Sequence, residues 1–186
     1  MIEVWAPRAQ RVRVRHVRGD GSTIQEQALD PAGDGGWSTV LGLAEGERYG
    51  FLIDDSEQLR PDPRSRRQPA GVHSASAVFD AGAFRWTDEG WTGRQLAGGL
   101  IYELHLGTFT PEGTLDAAIA RLDHLVDLGV THVELLPVNA FNGNWNWGYD
   151  GVLWYAVHEG YGGPRAYQRF VDAAHARGLA VLQDVV

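Results

Sequence analysis

Residues 99–138 read GLIYELHLGTFTPEGTLDAAIARLDHLVDLGVTHVELLPV, and this stretch decides the fold. LIYELHLGTF (100–109) is a near-continuous apolar run, the pattern of a parallel strand covered on both faces. Thr114 then stands as a helix N-cap, with Asp116 in the first turn, where its charge meets the positive end of the helix dipole. Leu115, Ala118, Ile119, Leu122, Leu125 and Val126 follow at helical spacing, so one helix with a single buried face is expected. Gly129 sits where a left-handed residue closes a helix. VTHVELLPV (130–138) is a second strand.

Towards the C-terminus, residues 139–162 read as a long aromatic loop. Gly163-Pro164 opens a second helix, since proline suits the first turn. Tyr167, Phe170, Val171 and Ala174 form its expected buried face, Gly178 ends it, and LAVLQDVV (179–186) is a third strand. Strand–helix–strand–helix–strand implies a parallel sheet with right-handed crossovers. A doubly wound open sheet and the start of an eight-stranded β/α barrel both fit this pattern. Gly107-Thr108-Phe109-Thr110 after the first strand matches neither a Walker loop nor a dinucleotide fingerprint, which weakens a nucleotide-binding reading.

Towards the N-terminus the style changes near residue 90. EVWAP, RVRVRHV, STIQEQAL, GWSTVLG and RYGFLID are short strands rich in β-branched or aromatic residues, separated by the turn clusters GDGS, GDGG and DDSE. Regular short strands without helical periodicity point to an antiparallel β-sandwich. Pro61-Asp62-Pro63 and the charged stretch to Gly71 form an ordered loop or linker. The expected division is a β-sandwich over 1–90 and a β/α region over 91–186.

Composition narrows the function. The 186 residues carry a net charge of -8 and no Cys. Disulfides, thiolate metal sites and a Cys nucleophile are excluded, and a nucleic-acid partner is disfavoured, because such binders usually carry a basic surplus. The one basic cluster, Arg11, Arg13, Arg15 and Arg18, alternates with Val12, Val14 and Val17, as on the wet face of a half-buried strand. The opening MIEVWAPRAQRVRV lacks the pattern of a signal peptide, and no apolar run spans a membrane; a cytoplasmic location is expected. The seven His show no metal-ligand spacing, so neither a catalytic metal nor a cofactor is expected.

IYELHLGTFTPEGT, LGVTHVELLPV, NWGYDGVLWYAVHEGYGGP and GLAVLQDVV resemble, in order, the opening of the catalytic barrel of the α-amylase superfamily (glycoside hydrolase family 13). VWAP resembles the β-sandwich that precedes the barrel in some members, and PDPRSRRQPAGVH a segment of its trehalose-releasing members. The resemblance covers essentially the whole chain. It implies an N-terminal antiparallel β-sandwich of immunoglobulin-like form, followed by the first three β/α units of a TIM-type (β/α)8 barrel. It also implies hydrolysis of the α-1,4 bond next to the terminal trehalose of a maltooligosyltrehalose by a retaining two-carboxylate mechanism. In this family those carboxylates end the fourth and fifth barrel strands, and a third acid follows the seventh. None falls within these three strands, so the chain alone is expected to be inactive. Branching or debranching of α-glucans on the same fold, and a non-catalytic glycan-binding module with Trp5, Trp37 and Trp86 as platforms, remain alternatives.

The resemblance carries four residues over to substrate binding. Tyr149 matches the aromatic that stacks on the sugar at the cleavage point, offering a flat apolar face to a pyranose. Asp184 opens a signature in which an Asp supports the sugar site, and its alternative is a strand-end Asp satisfied by backbone. Trp147 either joins the sugar site or anchors its loop, and Asp150 either binds a hydroxyl or caps its own turn. Asn142, Asn144 and Asn146 could bind hydroxyls, though Asn-Gly in a loop is mostly turn chemistry. Gln183 is read as pointing into the barrel. Glu103 and Glu134 are read as strand residues with internal partners rather than a catalytic pair, and His105 as a satisfied core residue. Three strands leave a barrel open, so self-association through its exposed edges is expected.

Overall fold

The computed structural model describes residues 1–186. The N-terminal half builds two antiparallel sheets. β1 (Ile2–Trp5), β5 (Gly36–Thr39) and β4 (Asp30–Pro31) form one, in that order. β3 (Thr23–Ala28), β2 (Val12–Val17), β6 (Arg48–Ile53) and β7 (Ser76–Ala77) form the other. The period-two pattern decides which face each strand buries. Val12, Val14 and Phe51 turn inward with Leu29, Leu41 and Tyr49, and Ile2, Val4 and Trp37 of the opposite sheet pack on the same cluster. The two sheets therefore share one core. The arginine stripe is not a freely solvated face: Arg13 and Arg15 are half-buried and tied to both Glu26 and Glu57.

The Pro61–Gly71 stretch is ordered from within. Asp62 is buried and accepts the Tyr49 hydroxyl at 2.6 Å. Its Oδ1 caps the Arg64 N–H, and its own N–H donates to Ser76 Oγ. Burial first, and the Asp62 charge second, push the Tyr49 hydroxyl well above its ordinary pKa of 10.0.

The C-terminal half is a parallel sheet, β12 (Ala180–Gln183), β9 (His132–Leu135) and β8 (Ile101–Leu104), with β9 in the centre. Four helices join it: α1 (Leu106–Phe109), α2 (Leu115–Ile119), α3 (Leu122–Asp127) and α4 (Gly163–Ala176). Val133, Leu135, Leu104, Leu122, Leu125 and Phe170 lie in one cluster of 16 buried residues between sheet and helices.

Several expectations change. The first apolar run is a strand only to Leu104; α1 follows, and Ile101 and Tyr102 are exposed because β8 is an edge strand. The helix expected across 115–126 breaks at Ala120–Arg121 into α2 and α3. Leu115, Ala118, Leu122 and Leu125 still share one buried stripe, whereas Val126 turns outward. Thr114 caps as expected, accepting the Ala117 N–H at 3.2 Å, and Gly129 is left-handed at φ 82°. The long loop contains an antiparallel hairpin, β10 (Asn139–Phe141) and β11 (Gly151–Val157). Gln183 pairs with Leu135 and shares the face of Val181, so it points to the helix layer rather than the opposite face.

A strap joins the halves. Residues 80–94 run along α4, meeting it at helical intervals. Arg165 donates to Asp80 O, Gln168 to Ala81 O, and Thr87 donates twice to Asp172 at 2.8 Å. His175 Nδ1 pairs with Asp88 at 2.6 Å under a stacked Trp91, and Arg94 donates to Gly178 O.

Candidate functional site

The carboxyl ends of β8, β9 and β12 carry the site, as expected of parallel β/α architecture, where loops after the strands do the chemistry. At the end of β8, His105 is half-buried on the rim rather than in the core. Its Nε2 lies 2.8 Å from Asn146 O and 3.2 Å from the Tyr161 hydroxyl, and its Nδ1 meets Thr108 Oγ1 at 3.1 Å. A carbonyl only accepts, so Nε2 holds the proton and Nδ1 takes the Thr108 hydroxyl. Trp147 leans on this ring with centroids 4.7 Å apart, so it anchors its loop and still exposes most of its surface.

The turn that carries Trp147 and Tyr149 is held by Gly148. Its φ is 103°, and a Cβ there would lie 2.7 Å from Pro137 at the end of β9. Asn146 Oδ1 accepts the Gly148 N–H at 2.6 Å, so this asparagine does turn chemistry. Tyr149 is 58% exposed and its ring makes no aromatic contact. Asp150 is exposed and accepts only from Asn146, at 3.4 Å, within its own turn. Asp184 follows β12. Its N–H donates to Leu135 O at 3.0 Å, its carbonyl accepts from Gln183 Nε2 at 2.8 Å, and its carboxylate has no partner in the protein.

The four predicted residues share one end of the sheet but no single cavity. Asp184 lines an apolar groove with Trp154, Tyr155 and Tyr167. Trp147 belongs with His105 on the β8 side. Trp154 and Tyr155, both exposed, were not picked out from the sequence; their signal is the apolar run GVLWYAV in what read as loop. Glu103 and Glu134 stand opposite each other in register and have no hydrogen-bond or ion-pair partner, contrary to the expected internal partners. In the sandwich, Trp5 is exposed, Trp37 packs on the core and donates to Ala6 O, and Trp86 packs edge-on against Phe84. Trp5 and Trp37 line one pocket with Glu3 and Arg64, and Trp86 stands apart from them.

The parallel sheet, its helices and the aromatic loop agree with the similarity to known proteins. The chain belongs to the α-amylase family, whose catalytic-domain model matches residues 58–186. Among its relatives, the malto-oligosyltrehalose trehalohydrolase of Arthrobacter ramosus is 60% identical over 98% of this chain and 32% of its own length. That of Rhizobium sp. strain M-11 is 58% identical over 100% of this chain and 31% of its own length. A crystal structure of a Salmonella typhimurium protein described as an alpha amylase superimposes with a TM-score of 0.91 and 43% identity, over 99% of this chain and 30% of that one. The chain thus spans about a third of the curated relatives it matches.

Proposed function

We propose that these residues serve a glycoside hydrolase that cleaves the α-1,4-glucosidic bond next to the terminal trehalose of maltooligosyltrehalose and releases trehalose in the cytoplasm. The observation that carries this reading is the 60% identity with a trehalohydrolase along nearly the whole chain. On this reading residues 1–90 are an immunoglobulin-like sandwich and residues 91–186 the first three β/α units of a (β/α)8 barrel. Tyr149 stacks on the sugar at the cleavage point, and Trp147 and Asp150 flank it. Asp184, whose carboxylate is unengaged, supports the floor of the same site. Cleavage is retaining, by two carboxyl groups about 5–5.5 Å apart on later strands. These residues contain neither of them, so the chain by itself binds glucan without hydrolysing it, and its uncovered strand edges associate with further copies. Branching would use the same fold, but the trehalohydrolase identity favours hydrolysis. A sandwich-based glycan module is disfavoured because Trp37 packs on the core and Trp86 lies apart against Phe84, which leaves Trp5 as the one broadly exposed ring of the three.

The test is trehalose release from maltotriosyltrehalose. The chain alone should release none, while the protein encoded by the whole gene should release trehalose and lose most of that activity with Tyr149→Ala. Glucan-chain transfer without trehalose would reject the assignment, and trehalose from the chain alone would reject its inactivity.

A further inference from the structure

A groove leads off the site just described, between Gln68–Val72 of the sandwich loop and the turn Asn142–Asn144, with His158 and Gly160 as its floor. Past Asn144 and Gly160 it continues to His105 and Glu112 at the end of β8.

The walls are rigid. Gln68 is buried with its amide fully engaged: Nε2 donates to Gly71 O and Ser74 O, and Oε1 accepts from Ser76. Val72 packs on Ala140, Leu153 and Ala156 of the hairpin. Arg67 crosses to Glu159 at 3.0 Å and neutralises the carboxylate beside the groove.

The floor is open to the groove. His158 is 8% exposed and lies flat on Phe141, with centroids 3.7 Å apart. The other buried or half-buried histidines find partners: His132 has Thr131, His175 has Asp88, His105 has Thr108 and Asn146, and His16 has Glu47. Neither ring nitrogen of His158 meets a protein group. Its Nε2 edge faces Gly160, where an added Cβ would stand 3.0 Å away, so the bare glycine keeps that nitrogen open. Burial, against a smaller opposing effect of Glu159, holds the ring below its ordinary pKa. A neutral imidazole presents one N–H donor and one acceptor. Asn142 and Asn144 add amides that make no hydrogen bond to the protein.

Neutral donors and acceptors beside an apolar wall suit a polyhydroxylated ring. We propose that this groove is a second saccharide subsite, holding a glucose unit of an α-glucan on His158, Asn142 and Asn144, apart from the Tyr149 stacking position. The proposal rests on the α-glucan reading above and adds a site to it.

Maltotriose titrated into the isotope-labelled chain tests it by NMR. The His158 ring and the Asn142 and Asn144 amide signals should shift saturably. His158→Phe keeps the stack on Phe141 and removes the nitrogens, and should weaken that response about five-fold, the worth of one neutral hydrogen bond. The exposed pair Asn142→Ala/Asn144→Ala, which cannot disturb the core, should weaken it at least as much. Tyr149→Ala should leave the His158 response in place. Shifts confined to Trp147 and Tyr149 would overturn the groove and leave the glucan reading standing. No shift anywhere would overturn both.

Discussion

The two halves of the chain bury their sheets differently. In the N-terminal half each inward face meets another sheet, and the outward face of β2 carries Arg13 and Arg15 in ion pairs with Glu26 and Glu57. In the C-terminal half one face of the parallel sheet lies under α2–α4 with 16 buried residues, while the other face is only partly covered: Ile101 and Glu103 are exposed, Glu134 is half-buried and His132 is buried. Leu100, just before β8, is exposed as well. The sandwich closes its own core. The β/α half is well packed on one side and more open on the other.

The sharpest way to break this comparison is Phe170→Ala. Phe170 is fully buried between α4 and the sheet, and its loss should cost about 3–5 kcal/mol. Hydrogen exchange should then show lost protection in β8, β9 and β12, with β2 and β6 still protected. Equal loss in both halves would mean they fold as one unit. Asp62→Ala is the counterpart on the other side. It strands the Tyr49 hydroxyl and frees the Arg64 N–H, for about 1–3 kcal/mol, and β6 and β7 should open while α4 stays closed.

Tyr49→Phe sharpens the same contrast through pH. It should cost about 1 kcal/mol at neutral pH. A hydroxyl whose folded pKa is raised gives stability that is full below its unfolded value near 10.0 and is lost as pH rises beyond it. Denaturation of the N-terminal half should therefore steepen above that pH, and Tyr49→Phe should flatten it. Tyr161 and Tyr167, also raised by burial, should keep the alkaline loss in the C-terminal half.

How much of this was legible in the sequence follows from period and range. The sandwich strands, the Thr114 cap, Gly129 and the Gly163-Pro164 start are local signals, and each is where the pattern puts it. The break at Ala120–Arg121 was not visible, because two short helices on one axis keep the same apolar stripe. The hairpin was hidden for another reason. β10 and β11 pair with register shifts at both steps, so β11 buries Leu153 and Ala156, three apart, instead of every second residue. Its local signs were the turn dipeptide Asn142-Gly143 and the apolar run GVLWYAV. In the site, the identities of Trp147, Tyr149, Asp150 and Asp184 came from resemblance. The engagement of His105 by Asn146 and the isolation of His158 depend on contacts 41 residues away or on partners that are missing, which no local pattern encodes.

The smallest effect belongs to the strap, and it decides whether the two halves are independent at all. His175 closes residues 80–94 onto α4 through Asp88 and Trp91, yet the pair is only partly buried and a single ion pair of this kind is worth about 1 kcal/mol or less. His175→Ala should barely move the midpoint of either half. The Thr87–Asp172 and Arg94–Gly178 contacts remain on either side of the gap, so the strap should loosen without detaching. The expected sign is local: faster exchange at Thr87 to Trp91, with unchanged protection at Phe170 and at Phe51. If removing this one imidazole instead merged or split the two unfolding transitions, the strap would be what couples the sheets. The contrast between a self-closed half and an open one would then describe their surfaces and not their stability.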